Sequence, residues 1–406
     1  MEYQKKERYA NIIPIAELDT SEKRLQPFPV YNQLRNSTPI RYDESRDCWD
    51  VLRYEDVHRI LKDPVTFSSV RELTGKGTAT ILTMDPPRHS QLRSLVNKTF
   101  TPRVISDLAP HIESITNEML DAVKDNNHMD LVHDLAVPLP VVVIAELLGV
   151  PPRDRELFKE WSDILVKGPD TNSDEAFSQV MKEKERAIQE LNDYFAKILE
   201  QRRVDPKEDL ISLLLSAEIE GQQLNDMEII SFSVLLLAAG NETTTNLITN
   251  AVRILTEKTE IQQQLRGNPE LIPSFIEEVL RYYPPIQAIG RVATTDIEIG
   301  GKLIKKGNQV VSWIASANRD ESKFVEPDAF ITERRPNTHL SFGFGIHFCL
   351  GAPLARLEGQ IAIRTMLNRM EDIEFIAGSP LTSIQSPFVY GVKQFPIAFR
   401  SFRIET

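Results

Sequence analysis

The residue best placed to do chemistry is Cys349, in the segment HLSFGFGIHFCLG at 339–351. Gly343 and Gly345 permit a tight loop there, along a path that a side-chain-bearing residue would strain. The loop runs directly into the helical stretch APLARLEGQIAIRTML. A thiol just ahead of a helix N-terminus meets backbone N–H groups and the positive end of the helix dipole, which favour the thiolate. A thiolate donates strongly to iron and there promotes O–O cleavage. The bland alternative for a lone cysteine is a buried small hydrophobe, and Cys48, in the alternating stretch DCWDVLRY, is read that way.

A second constellation interrupts an apolar helix. Asn225 followed by Glu228 is a capping-box start. SFSVLLLAAG is apolar on every face, which predicts burial in the middle of the protein. The run stops at Gly240-Asn241-Glu242-Thr243-Thr244. A glycine and an acid cost stability in a buried helix and are tolerated mainly at functional sites. Elsewhere, Glu278 and Arg281 share one face of the helix IPSFIEEVLRYYPP, an i,i+3 pair worth little on a surface. His89 and Arg93 in DPPRHSQLR are spaced i,i+4 and point the same way. Arg291 lies in IGRVAT, and His347 stands two residues before Cys349.

The elements that must position these groups are mostly helical. A hairpin is predicted from Pro39–Tyr42 and Trp49–Arg53, then a short helix in YEDVHRILKD. Helical periodicity covers about 88–100, 102–124, 139–148, 151–167, 174–203, 207–216, 226–258 and 268–281. Strands are predicted at Arg291–Ala293, Ile297–Ile299, Lys302–Ile304 and Gln309–Trp313. A helix follows over Ala352–Arg369, with short strands in the last 35 residues. The fold class expected is mainly α with a minor β portion.

The chain has 406 residues, with 47 Lys and Arg against 59 Asp and Glu, a net charge of −12. That balance argues against a nucleic-acid partner. Two cysteines in different contexts make a disulfide framework improbable and fit a reducing cytoplasm. No signal peptide or membrane span is expected, because the apolar runs are short. Without repeats or linkers, residues 1–406 are expected to form one domain, with the segment to about residue 27 peripheral.

Phe342-x-x-Gly345-x-x-x-Cys349-x-Gly351 is similar to the cysteine-loop signature of the cytochrome P450 family. Ala239-Gly240-x-Glu242-Thr243-Thr244 resembles the family's oxygen-activation motif, with Glu where many relatives have Asp. Glu278-x-x-Arg281 resembles its ExxR element, with Arg334 as third partner in a structural triad. The resemblance runs from about Phe28 to Phe399 in the family's motif order. It implies a triangular helical prism with a small β-rich lobe, and haem b with Cys349 as axial iron ligand. It also implies that Thr243 hydrogen-bonds the oxygen being activated and orders water in a widened helix turn. Glu242 would relay protons, and Ala239 would lie close to substrate or oxygen. His89, Arg93, Arg291 and His347 would hold the haem propionates, and Phe342 belongs to the haem-binding loop.

By the same resemblance the substrate pocket is lined by the loop from Ser69 through Leu82, by 166–180, and by Leu236 and Ala239. Ile286–Ile289 and Phe388-Val389 complete it. This mostly apolar set suits a hydrophobic small molecule; fatty acids, steroids and terpenoids all fit, with a lean toward sterol- or terpene-sized ones. Hydroxylation or epoxidation by a cytoplasmic monomer is implied, with electrons from a separate ferredoxin or flavodoxin and its reductase. Residues 86–106 carry Arg88, Arg93, Lys98 and Arg103 without an acid, a basic patch on which such an acidic partner would dock. The rival readings are a peroxide-driven peroxygenase, a haem sensor or carrier, and a helical scaffold without haem.

Overall fold

The computed structural model describes residues 15–70, 80–166, 174–219, 221–384, 386 and 388–401. They group into two compact units. One draws on Met1–Ser90, Pro273–Leu350 and Thr382–Val392, the other on Gln91–Ile272, Gly351–Leu381 and Lys393–Thr406. Among the described residues no helix is long and apolar enough to cross a membrane.

The first unit is built on a five-stranded sheet. Its order is Ile40–Asp43, Cys48–Val51, Gln309–Ser312, Ile289–Ala293 and Phe67–Ser68. The first two strands form the expected hairpin. Gln309–Ser312 pairs parallel with Cys48–Val51 and antiparallel with Ile289–Ala293. Cys48 is fully buried, and burial pushes its thiol up to about 12, so it stays a neutral hydrophobe. The helix Tyr54–Lys62 buries Tyr54, Val57, Ile60 and Leu61, the 3–4 spacing of one helical face, and ends ahead of Pro64.

Two features of this unit depart from expectation. A helix over Phe28–Ser37, unforeseen in its polar sequence, buries Phe28, Tyr31, Leu34 and Arg35. Arg35 is held by Glu321 at 2.8 Å and the Ser316 carbonyl at 3.2 Å. Of the segment expected to be peripheral, residues 15–26 are described, and part of them turns inward. Ile15 and Leu18 are buried, and Arg41 donates to Glu17.

The second unit is centred on the helix Asp226–Glu257, whose capping box is complete in both directions at 3.0 Å. Packed on it are the helices Pro138–Leu147, Arg155–Val166, Asp174–Val204 and Ala352–Arg369. The helix expected over 102–124 is two, Pro102–Asp107 and Ala109–Val123. Pro110 lacks the N–H and crowds the carbonyl four residues back, so a single helix cannot run through Leu108. The chain breaks again at Lys258, and a separate helix, Thr259–Gly267, follows. Pro151 and Pro152 likewise delay the helix expected from 151 to Arg155. A three-stranded sheet of Met370–Phe375, Pro396–Ser401 and His128–Asp130 completes the unit.

Candidate functional site

The cysteine loop belongs to the first unit and is fixed from several sides. Its backbone closes through Cys349 N–H to the Phe342 carbonyl at 2.8 Å and Gly343 N–H to Leu340 at 2.8 Å. The Ser341 hydroxyl donates to the Leu280 carbonyl at 2.6 Å, and Asn318 Oδ1 receives Leu340 N–H at 2.8 Å. Gly343 and Gly345 both have φ of +71°, the left-handed region. At Gly345 a Cβ would also come within 2.9 Å of the Leu61 carbonyl oxygen. Glycine is therefore required there twice over. Cys349 is exposed, as is Phe348, while Phe342 is half-buried.

The predicted ion triad assembles in the same unit. Glu278 takes two bonds from Arg281, both 2.8 Å, and two from Arg334 at 3.1 and 3.2 Å. Ile331 N–H and Asn337 complete the carboxylate's partners. Arg281 also donates to the carbonyls of Asn318, Pro327 and Ala329. Glu278 and Arg281 are wholly buried, a placement that would be costly without this full set of bonds. Asn318 links this cluster to the cysteine loop, touching both Arg281 and Leu340.

Of the four propionate candidates, His89 and His347 come together, their rings 4.2 Å apart. His89 is buried, and so is Arg291 on the strand Ile289–Ala293. Arg93 is half-buried, one turn beyond His89 on the helix Arg88–Thr99. A haem needs a thiolate or imidazole ligand, apolar cover and cations for two carboxylates. An exposed thiol flanked by phenylalanines, with imidazole and guanidinium groups sequestered from water, is a donor set of that kind.

Part of the predicted pocket lining also meets. Ile286 bridges Val389, and Gln287 N–H donates to the Phe388 carbonyl at 2.7 Å. Ile289 approaches the Cβ position of Gly343. Leu82 is half exposed. Residues 71–79 and 167–173 of the two predicted lining segments lie outside the described residues.

In the second unit, Leu236, Ala239, Glu242 and Thr243 lie on the central helix. The helix runs through this stretch from Asp226 to Glu257, and the Thr243 hydroxyl donates to the Ala239 carbonyl at 2.8 Å. The helix is bolted to its neighbours. Asn241 donates to the Ser162 hydroxyl, and Thr245 donates to the Ala136 carbonyl at 2.9 Å. Burial pushes the Glu242 carboxyl up to about 7, opposed by the ammonium of Lys184.

Two titratable groups beside this helix escaped the sequence reading. Burial lowers the Lys184 ammonium, against the pull of Glu242. Glu358, on the helix Ala352–Arg369, is 2% exposed and pushed up by burial to about 8, with a Thr244 hydrogen bond opposing. The available signal was periodicity, since Leu354, Glu358 and Ala362 fall on one buried stripe.

The family model for cytochrome P450 matches residues 17–387. A cytochrome P450 109 of Bacillus spizizenii is 53% identical over 394 residues, 97% of this chain and 96% of that protein. Two crystal structures of CYP109E1 from Bacillus megaterium, in complex with testosterone and with corticosterone, superpose with TM-scores of 0.88 and 0.87. They are 45% and 44% identical, each covering 93% of this chain and 99% and 100% of theirs. Fold, cysteine loop and relatives agree: the chain belongs to the cytochrome P450 family and is a haem-b-dependent monooxygenase with that family's fold.

Proposed function

We propose that this protein hydroxylates or epoxidises a hydrophobic small molecule of steroid or terpenoid size, using O2 and electrons from a ferredoxin or flavodoxin and its reductase. Cys349 would hold the haem iron through its thiolate, and His89, Arg93, Arg291 and His347 would hold the propionates. When bound, haem supplies the redox chemistry that activates O2. The chain itself must supply protons. A carboxyl pushed up to about 7 gives and takes a proton readily at neutral pH, which suits Glu242 to that work. While the Thr243 hydroxyl donates to Ala239, its oxygen lone pairs remain able to accept from water or an acid. This acid–alcohol pair on a buried helix is the observation that carries the reading. We read residues 1–406 as one domain of a cytoplasmic monomer, in keeping with a family match that is continuous over 17–387.

The steroid preference rests on the two CYP109E1 complexes and on the apolar character of Leu236, Ile286, Ile289, Phe388 and Val389. Fatty acids fit the same apolar chemistry. A panel of steroids, terpenoids and fatty acids, titrated against the haem absorption, ranks them by the shift toward high spin. Product per NADPH consumed is expected to fall on the order of tenfold or more in Thr243→Ala, since a proton-handling group is lost. Peroxide-driven turnover should change little. Equal use of peroxide and the reductase system by wild type, with Thr243→Ala indifferent in both, would favour the peroxygenase instead.

A further inference from the structure

Two short segments of the first unit, 284–287 and 388–390, carry the apolar residues Ile286, Phe388 and Val389. Their backbones hold each other directly. Ile286 bridges Val389, Gln287 N–H donates to the Phe388 carbonyl at 2.7 Å, and Tyr390 N–H donates to the Pro285 carbonyl at 2.8 Å. Neither segment belongs to a strand of any sheet. A pair this short is marginal by itself and needs support from outside.

That support comes from the N-terminal part of the same unit. The Tyr390 hydroxyl donates to the Leu25 carbonyl at 2.9 Å, and the Tyr31 hydroxyl donates to Gln287 Oε1 at 3.2 Å. Gln287 is anchored in turn through Nε2 to the Pro284 carbonyl at 2.7 Å. Phe28 packs against both tyrosines, its ring centroid 5.7 Å from Tyr390 and 6.3 Å from Tyr31. Tyr31, Gln287 and Tyr390 are all buried. Phenylalanine would pack such a cluster equally well; a buried hydroxyl adds a directed tie whose partner water cannot replace. Val389 also borders a cleft lined by Leu18, Arg24, Tyr31 and Ser383. The turn at 388–390 therefore has room to shift once a tie is lost.

We propose that Tyr31 and Tyr390 are positioning residues that determine substrate specificity from behind the pocket wall. Their hydroxyl bonds to Gln287 and to the Leu25 carbonyl hold Phe388 and Val389 against Ile286 and so set the shape of that wall. The proposal rests on the reading of Ile286, Phe388 and Val389 as pocket lining. Neither hydroxyl touches substrate; each acts through the backbone of the paired segments. An apolar wall orients a substrate by shape, and a displacement of about 1 Å is enough to misplace the reacting atom.

The test uses the haem-loaded full chain in wild-type, Tyr31→Phe, Tyr390→Phe and Phe388→Ala forms, with testosterone and imidazole as probes. Testosterone is followed by the shift toward high spin and by the ratio of its oxidation products. Imidazole ligates iron without leaning on the apolar wall and reports an intact haem site. Each Tyr→Phe variant is expected to weaken half-saturation by testosterone roughly two- to tenfold, the span that one hydrogen bond covers. The product ratio should change with it, while imidazole affinity stays at the wild-type value. A merely structural tyrosine would lower the melting temperature and leave the product ratio intact. Wild-type half-saturation and product ratio in both Tyr→Phe variants overturn the proposal. Phe388→Ala tells the two layers apart. If it also leaves testosterone binding and products unchanged, the reading of Phe388 as pocket lining fails and the proposal falls with it. If Phe388→Ala alone changes them, the lining stands and the hydroxyl ties are what fail.

Discussion

Glu358 shows how one buried side chain can set a pH dependence. Its carboxyl is pushed up to about 8 when folded and returns near 4.5 when the chain unfolds. The folded state therefore holds a proton that the unfolded state releases between those values. This group's contribution to stability is full below about pH 4.5 and is lost as pH rises through about 8. Glutamine keeps the shape and the neutral amide without the titration. Glu358→Gln should match wild type in chemical denaturation near pH 4.5 and be more stable by about 4 kcal/mol near pH 8. Equal pH profiles for the two proteins would show that Glu358 is ionised in the fold. The motif letters did not mark this residue, nor Lys184; both are visible only as charges that fall on the apolar stripe of a helix.

Among the elements, the cysteine loop is the most constrained. Its conformation is specified by glycine and by neighbours remote in sequence, including Leu61 opposite Gly345 and Leu280 beneath Ser341. Gly345→Ala forces a left-handed alanine, costing about 1–2 kcal/mol, and meets the Leu61 carbonyl as well. Lower thermal stability and a smaller reduced carbon monoxide band near that of thiolate-ligated haem are expected, with the loss in the band exceeding the loss of folded protein. The helix Asp226–Glu257 was legible because its cap and its apolar run are local signals. Its fastening to neighbouring elements was not, because the partners of Thr245 and Asn241, the Ala136 carbonyl and Ser162, lie far away in sequence.

Across the whole molecule the charge is −12, so an acidic redox protein needs a local basic surface to approach. The patch proposed at 86–106 is narrower than its composition implies. Lys98 donates to the Glu218 carbonyl at 2.7 Å, and Arg103, 91% exposed, has Asp107 4.0 Å away. Arg103 is thus the patch's most presented charge. Arg103→Glu should slow reduction by a ferredoxin severalfold at low salt and much less at high salt, with substrate affinity unchanged. Stopped-flow reduction at two ionic strengths checks this, and an equal rate at low salt would remove Arg103 from the docking surface.

The sequence by itself determined the cysteine loop, the acid–alcohol pair, the ExxR pair and the helical class, because each depends on residue type at short, fixed spacing. Tertiary structure decided what those residues meet. It brought Arg334 and Asn337 onto Glu278 across more than fifty residues, set His89 against His347, and placed Ile286 opposite Val389. It also supplied the environments that a string of letters lacks. Burial raises Glu242 and Glu358, and only helix packing brings Lys184 to bear on Glu242, since desolvation and charge depend on three-dimensional neighbours rather than on sequence distance.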